Sequence, residues 1–174
     1  MNYDELRRDA LPTAFLSLGS NLGDRLENLK RAVEKIEGSD EIAVKKISPV
    51  YETQPVGYEG QGWFLNLVVQ VQKSLESFPL LERLLSIEDE MGRTRGKKSG
   101  PRNIDVDILL YDNQMVDSER LTIPHPRMHE RRFVLVPLAQ IAPKLLHPRL
   151  KKNIEELLVC CRDGSGVRPY PEKV

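Results

Sequence analysis

Two acids carry the clearest chemistry in this sequence. Asp105 and Asp107 stand two apart in Gly100-Pro101-Arg102-Asn103-Ile104-Asp105-Val106-Asp107-Ile108-Leu109-Leu110. From Ile104 the residues alternate apolar and acidic, then run apolar, which predicts a strand. Both acids then share one face, and Ile104, Val106 and Ile108 point into the core. Alternate residues of a strand lie about 7 Å apart. Carboxylates so spaced can share a divalent cation or hold one each; without a cation they repel. Taken alone, the pair reads as a solvated strand face with two acids. Its neighbours change that reading. The stretch from Arg93 to Arg102 carries five cations in ten residues (Arg93, Arg95, Lys97, Lys98, Arg102). Such a run is usually a solvated face or a loop. Running directly into paired acids, it suits a metal–triphosphate complex, with acids on the metal and cations on the phosphate oxygens. The planar fork of Arg fits phosphate better than Lys does.

Further candidates lie on either side. His125 is flanked by Pro124 and Pro126, which fix its backbone. A lone His is usually structural; one held beside Arg120, Thr122 and Arg131 suits a phosphate or leaving group. Asn66 interrupts an apolar run. A buried amide must find partners, so Asn66 is either a satisfied core amide or one that reads a ligand's edge with both amide atoms. Residues 52–62 are rich in Gly, Pro and polar types, and long for a connection, as binding loops and lids are. The turn Gly19-Ser20-Asn21-Leu22-Gly23-Asp24 lacks the Gly spacing and the Lys of nucleotide-binding loops. It reads as a tight strand-to-helix turn.

The elements that must hold these residues follow from periodicity. Strands are expected over 14–18, over 42–51 with a bend at Ser48-Pro49, over 63–71, and from Ile104 to Leu110. One helix starts at an Asp24 cap and stops at Gly38. A second covers 78–91. A short third covers 133–141, with Pro137 in its first turn. A last one runs from an Asn153 cap to Cys161. Residues 111–114 form a hairpin turn, and Met115 begins the return. The tail from Arg162 is expected to fray. The length of 174 residues suits one domain. Lys plus Arg balances Asp plus Glu at 26 each, so no global field attracts nucleic acid or membrane. Aromatics are 6% of the chain, too few for base-stacking platforms. Cys160 and Cys161 are adjacent, without zinc spacing, as idle thiols of a reducing cytosol are. The polar start is not a signal peptide, and no apolar run reaches membrane-spanning length. A cytoplasmic protein is expected.

Together these stretches resemble the 6-hydroxymethyl-7,8-dihydropterin pyrophosphokinases of folate biosynthesis. The pieces are Leu18-Gly19-Ser20-Asn21, Tyr51-Glu52-Thr53-Gln54-Pro55-Val56-Gly57, Phe64-Leu65-Asn66, Ile87-Glu88 through Gly92-Arg93, Gly100 through Leu109, and Leu121-Thr122-Ile123-Pro124-His125. The Gly-Pro-Arg and Asp-x-Asp stretch, followed by Pro-His, is the specific part. The resemblance spans about Ala14 to Pro143. It implies an α+β fold, a ferredoxin-like three-layer α/β/α sandwich with a central mainly antiparallel sheet. It implies an N-terminal extension over 1–12, a single catalytic domain over 13–162 and a tail over 163–174. The implied reaction moves pyrophosphate from ATP to the pterin hydroxymethyl group and releases AMP. Two Mg²⁺ ions are implied, held at Asp105 and Asp107.

By the same resemblance, Arg93 and Arg102 match catalytic arginines. Glu88, Arg95, Lys98, Ile108, Arg120, Thr122, His125 and Arg131 match ATP-side positions. Thr53, Val56, Phe64, Asn66 and Phe133 match the pterin pocket, with the two Phe rings sandwiching the flat heterocycle and Asn66 reading its amide edge. Three positions depart from the family pattern: Ser99 stands where a Trp is common, Leu85 where a Gln is common, and Pro126 where a Tyr is common. The implied partners are the two small-molecule substrates, with no nucleic acid and no membrane. A stand-alone monomer is expected, with a homodimer as the alternative. Two other classes compete. An RNA-binding module needs a basic face and several exposed aromatics, which zero net charge and the acid pair oppose. A different Mg²⁺-dependent phosphohydrolase or nucleotidyl transferase would use the same acids but form other products.

Overall fold

The structure is a computed structural model that describes residues 11–56, 60–92 and 101–174. Its centre is a run of apolar residues long enough to be buried on both faces. Thr13–Ser20 forms β1, and all but its first residue are buried. It pairs antiparallel on one side with β4 (Phe64–Lys73) and on the other with β5 (Asp105–Tyr111). The ten residues of β4 also carry two short strands along their far side. These are β2 (Ile42–Ile47) and β3 (Tyr51–Thr53). A last strand, β8 (Val167–Pro169), pairs with β3. The path across the sheet is β5-β1-β4-β3-β8, with β2 also on β4, and every pairing among the described residues is antiparallel.

The strand expected over 42–51 is thus two strands, divided at Ser48-Pro49. Pro49 has no N–H for a ladder. Ser48 supplies the local pairing instead: its N–H donates to the Val68 carbonyl at 2.9 Å, and its Oγ accepts from the Val68 N–H at 2.9 Å.

The two faces of the sheet are covered differently. Alternate residues Leu16 and Leu18 of β1, Leu65, Leu67 and Val69 of β4, and Val106 and Ile108 of β5 pack under two helices. These are α1 (Arg25–Glu37) and α2 (Ser77–Glu90). Asp24 caps α1, accepting from the Glu27 N–H at 3.0 Å, and Gly38 ends it. Phe15, Val68, Leu109 and Leu110 face the opposite way, under α3 (Arg132–Ile141) and α4 (Ile154–Cys160). A register shift between Phe15 and Leu16 inserts one extra residue in β5. That bulge turns both Leu109 and Leu110 to this side. Asn153 caps α4 through a reciprocal pair of bonds with Glu156.

Three expectations are corrected. Pro137 is the sixth of the ten residues of α3, not part of its first turn. Position 137 therefore offers no helical N–H to the Phe133 carbonyl. The return after the 111–114 turn, β6 (Val116–Asp117), pairs with β7 (Thr122–Ile123) rather than with β5. Beyond β7, the His125 N–H donates to the Leu109 carbonyl at 2.9 Å, which lays His125 beside β5. The tail is ordered: β8 joins the sheet, and Tyr170 and Val174 pack against the core. Among the described residues, no helix is long and apolar enough to cross a membrane.

Candidate active site

The sheet face beneath α3 and α4 is apolar at one end only. At the other end, the same strands present Ser17 and Gly19, Asn66, Thr53, Asp105 and Asp107. All six line one cavity. Strand register places them in rows. Asp105 pairs with Gly19, which pairs with Asn66; Asp107 pairs with Ser17. Gln54, Val56, Gln61 and Phe64 form one wall of the cavity, and Arg102, Arg127, Arg131 and Phe133 complete it.

The Asn66 side of the cavity is tightly fitted. Asn66 is buried, and its Nδ2 donates to Thr53 Oγ1 at 2.6 Å. Its other amide atom rests over Gly19: a Cβ there would stand 2.6 Å from Asn66 Oδ1. Only glycine leaves room for that approach. Asn66 is therefore a partnered core amide, and it also lines the cavity.

The acid side is electrostatically crowded. Arg102 Nη1 donates to Asp105 Oδ2 at 2.6 Å. The loop carrying Arg102 is pinned to Asn21, whose Oδ1 accepts from the Arg102 N–H at 2.8 Å and whose own N–H donates to the Arg102 carbonyl at 3.1 Å. Burial and the neighbouring Asp105 charge push the Asp107 carboxyl up to about 7, against the pull of Arg131 and Arg102. His125 Nε2 lies 3.9 Å from Asp107 Oδ2. Burial, then the Arg131 charge, holds His125 down at about 4, so the ring is neutral at neutral pH. Its Nδ1 accepts from the Arg127 N–H at 3.2 Å, which puts the proton of the neutral ring on Nε2. Burial lowers Arg131, whose guanidinium carbon sits 5.6 Å from the Phe133 ring centroid.

Of the residues singled out from sequence, Thr53, Val56, Phe64, Asn66, Arg102, Asp105, Asp107, Arg131 and Phe133 line this cavity. Others sit elsewhere. Glu88 is buried under β5, where its Oε1 accepts from the Val106 N–H at 2.7 Å. It satisfies an outward donor of the edge strand. Ile108 is buried in the α1/α2 cluster. Arg120 is at the surface, paired with Glu82. Thr122 lies on β7, which pairs with β6 in a separate two-stranded sheet beside β5. Arg93, Arg95 and Lys98 lie outside the described residues.

Sequence reasoning missed Ser17, Gly19, Gln54, Gln61 and Arg127 as lining residues. For Ser17 and Gly19 a signal existed: they alternate with Leu16 and Leu18. Seeing it required the register with β5. Among the described residues, no group of three or more His, Cys, Asp or Glu side chains is arranged to hold a metal ion. Two hard carboxylates fit a cation that completes its shell with phosphate and water, which is the habit of Mg²⁺.

The sequence matches the family model described as 7,8-dihydro-6-hydroxymethylpterin-pyrophosphokinase (HPPK) over residues 15–143. A 2-amino-4-hydroxy-6-hydroxymethyldihydropteridine pyrophosphokinase of Bacillus subtilis is 48% identical over 160 residues, which cover 92% of this chain and 91% of that protein. A protein of the same name from Aquifex aeolicus is 41% identical, over 84% of this chain and 90% of the relative. Among solved structures, the wild-type HPPK-DHPS of Plasmodium falciparum with pterin and p-hydroxybenzoate superposes with a TM-score of 0.69 at 18% identity. That match covers 87% of this chain and 42% of the other, so this chain spans less than half of that protein.

Proposed function

This chain belongs to the 7,8-dihydro-6-hydroxymethylpterin-pyrophosphokinase family, and we infer that its cavity transfers pyrophosphate from ATP to the hydroxymethyl group of 6-hydroxymethyl-7,8-dihydropterin, releasing AMP, as a step of folate biosynthesis. One observation carries the reading. The acid pair and the Asn66–Thr53 wall share one cavity on one sheet face, only one residue, Gly19, apart along the row. A phosphate site and a flat-ring site are thus adjacent, as a direct transfer between two bound substrates requires.

On this reading the pterin ring enters between Phe64 and Phe133, where offset stacking favours it. Asn66, fixed by Thr53 and Gly19, meets the ring's amide edge, and Val56 closes the loop side. The hydroxymethyl oxygen then points toward Asp105 and Asp107. That oxygen, losing its proton to solvent, attacks the β-phosphorus of ATP as the bond to the AMP oxygen breaks. Catalysis here is positioning and charge stabilisation. Asp105 and Asp107 would hold Mg²⁺, two ions on the family pattern, which would supply charge neutralisation to the triphosphate and to the transferred group. Arg102 and Arg131 supply guanidinium donors to the phosphate oxygens. His125, neutral and carrying its proton on Nε2, donates to phosphate without adding charge. Arg93, Arg95 and Lys98 are assigned to the phosphates by the family pattern, as is Arg120, which must leave Glu82 to take part. Glu88 and Ile108 act from beneath, by holding β5.

The same reading makes residues 13–162 the catalytic domain of a ferredoxin-like three-layer sandwich, working as a cytoplasmic monomer. The test follows the transferred atoms. With ATP labelled at the β-phosphate, the label is expected in a pterin diphosphate. Label found only in free phosphate or pyrophosphate overturns the reading in favour of a phosphohydrolase.

A further inference from the structure

The C-terminal strand lies outside residues 15–143, the span that matches the family, yet it is bonded to the wall of the cavity. The residue after β3, Gln54, lines the cavity. Its N–H donates to the Gly166 carbonyl at 3.0 Å, and its Oε1 accepts from the Gly166 N–H at 2.7 Å. Two residues later, Arg168 binds Glu52 of β3. Its Nε and Nη2 donate to Glu52 Oε2 at 2.9 and 2.6 Å. The same guanidinium lies 4.7 Å from the Trp63 ring centroid.

A second arginine completes the arrangement. Arg25, at the start of α1, meets the other Glu52 oxygen at 2.9 Å and donates to the Trp63 carbonyl at 2.8 Å. Glu52 and Trp63 stand at the two ends of the loop whose residues Gln54, Val56 and Gln61 line the cavity. Thr53 and Phe64, the residues that follow Glu52 and Trp63 in sequence, line it too. Arg25 and Arg168 therefore tie both loop ends together, one from a helix and one from the last strand. Space is tight at this junction: a Cβ on Gly166 would stand 3.2 Å from Gln54 Oε1 and 3.4 Å from the Trp63 ring. Glu52 is the common acceptor, and Arg168 and Arg25 hold its carboxyl below the usual range.

We propose that β8 is a positioning element for the acceptor-side wall, and that Arg168 sets the shape of the pterin pocket through Glu52 and Trp63. The proposal rests on the reading that this wall takes the pterin. Arg168 touches no reacting atom; it acts by fixing the loop that does the binding.

The test uses the full chain with Arg168→Ala. KM for the pterin, KM for ATP and kcat are measured separately, and the thermal melt is recorded. Removing a forked ion pair that also stacks on Trp63 is expected to raise the pterin KM about tenfold. The ATP KM and the kcat at saturating pterin stay within about twofold, since uniform binding alone is lost. Trp63 is the single tryptophan, so its emission becomes more accessible to acrylamide in the variant. Arg168→Lys keeps the charge and the stem but not the fork, and recovers part of the pterin KM. Should the Ala variant not fold, the Lys variant alone must show the selective rise in pterin KM. A pterin KM equal to wild type overturns the proposal, as does an equal worsening of all three constants. If the wild type itself shows no pterin-dependent turnover, the functional reading fails first. If the wild type is active and Arg168→Ala behaves like it, only the positioning role fails.

Discussion

Strands β1, β4 and β5 each contribute to both ends of one sheet face, and the two ends have opposite characters. Toward α3 and α4 the face carries Phe15, Val68, Leu109 and Leu110, all buried among apolar neighbours. A few residues along the same strands it carries Ser17, Gly19, Asn66, Asp105 and Asp107, open to a cavity. The backbone ladder is common to both ends. What differs is whether a side chain seeks neighbours or a ligand. The apolar end stabilises the fold, about 25 cal/mol for each Å² removed from water. The polar end sets Asp107 beside Asp105, and burial, then the Asp105 charge, raises its carboxyl to about 7. Such crowding opposes folding and is useful only to something cationic.

That contrast can be broken from either end. Asp107→Asn is expected to lower turnover at saturating Mg²⁺ by about a thousandfold, the scale of losing a principal electrostatic contact in the transition state. Its melting temperature should equal or exceed that of wild type. The sign follows from the raised carboxyl: without metal, wild-type stability at this residue is present below pH 3.8 and lost as pH rises through about 7. Kinetics with a parallel melt decides the point, and an Asn variant that is fully active removes Asp107 from the site. The mirror-image change is Leu135→Ala under the apolar end. Leu135 is fully buried, so truncation should cost about 2–5 kcal/mol in denaturant unfolding. KM for either substrate should hardly move in the folded fraction.

Two smaller effects sharpen the comparison. Gly19→Ala puts a methyl group against Asn66 Oδ1 and should raise the pterin KM about tenfold with little change in ATP KM. His147, in the connection between α3 and α4, is buried, and its Nδ1 accepts from the Leu150 N–H at 3.1 Å. Burial and the His129 ring hold it down from 6.5 to about 4. Its neutral form is the one the fold accepts, so stability is full above pH 6.5 and falls as pH drops through about 4. The loss is at most about 3 kcal/mol. His147→Gln should flatten that acid limb in melts taken across the range, and His125 should leave the remainder.

How much of this was legible beforehand depends on whether a residue's role is local. The α1 cap at Asp24, the α4 cap at Asn153 and the alternation around Asp105 and Asp107 all involve short-range patterns, and all three stand. The acid pair and the Phe64, Asn66 and Phe133 lining emerged from the family resemblance together with alternation. What failed was non-local. Pairing of β8 with β3 joins residues more than a hundred positions apart, such as Arg168 and Glu52. A polar tail gives no sign of that. The break at Ser48 depended on a side chain replacing a ladder bond, and Gly19 acquired its role only when register set Asn66 opposite. Pro137 shows the reverse error: packing of Val134, Leu135 and Leu138 outweighs one missing helical bond.

The most direct test of the polar end as the catalytic centre is AMP release from ATP and Mg²⁺, with and without 6-hydroxymethyl-7,8-dihydropterin. The account predicts AMP only when the pterin is present, one AMP for each pterin diphosphate formed. AMP released equally fast without the pterin, or none at all from folded protein with both substrates present, would contradict it.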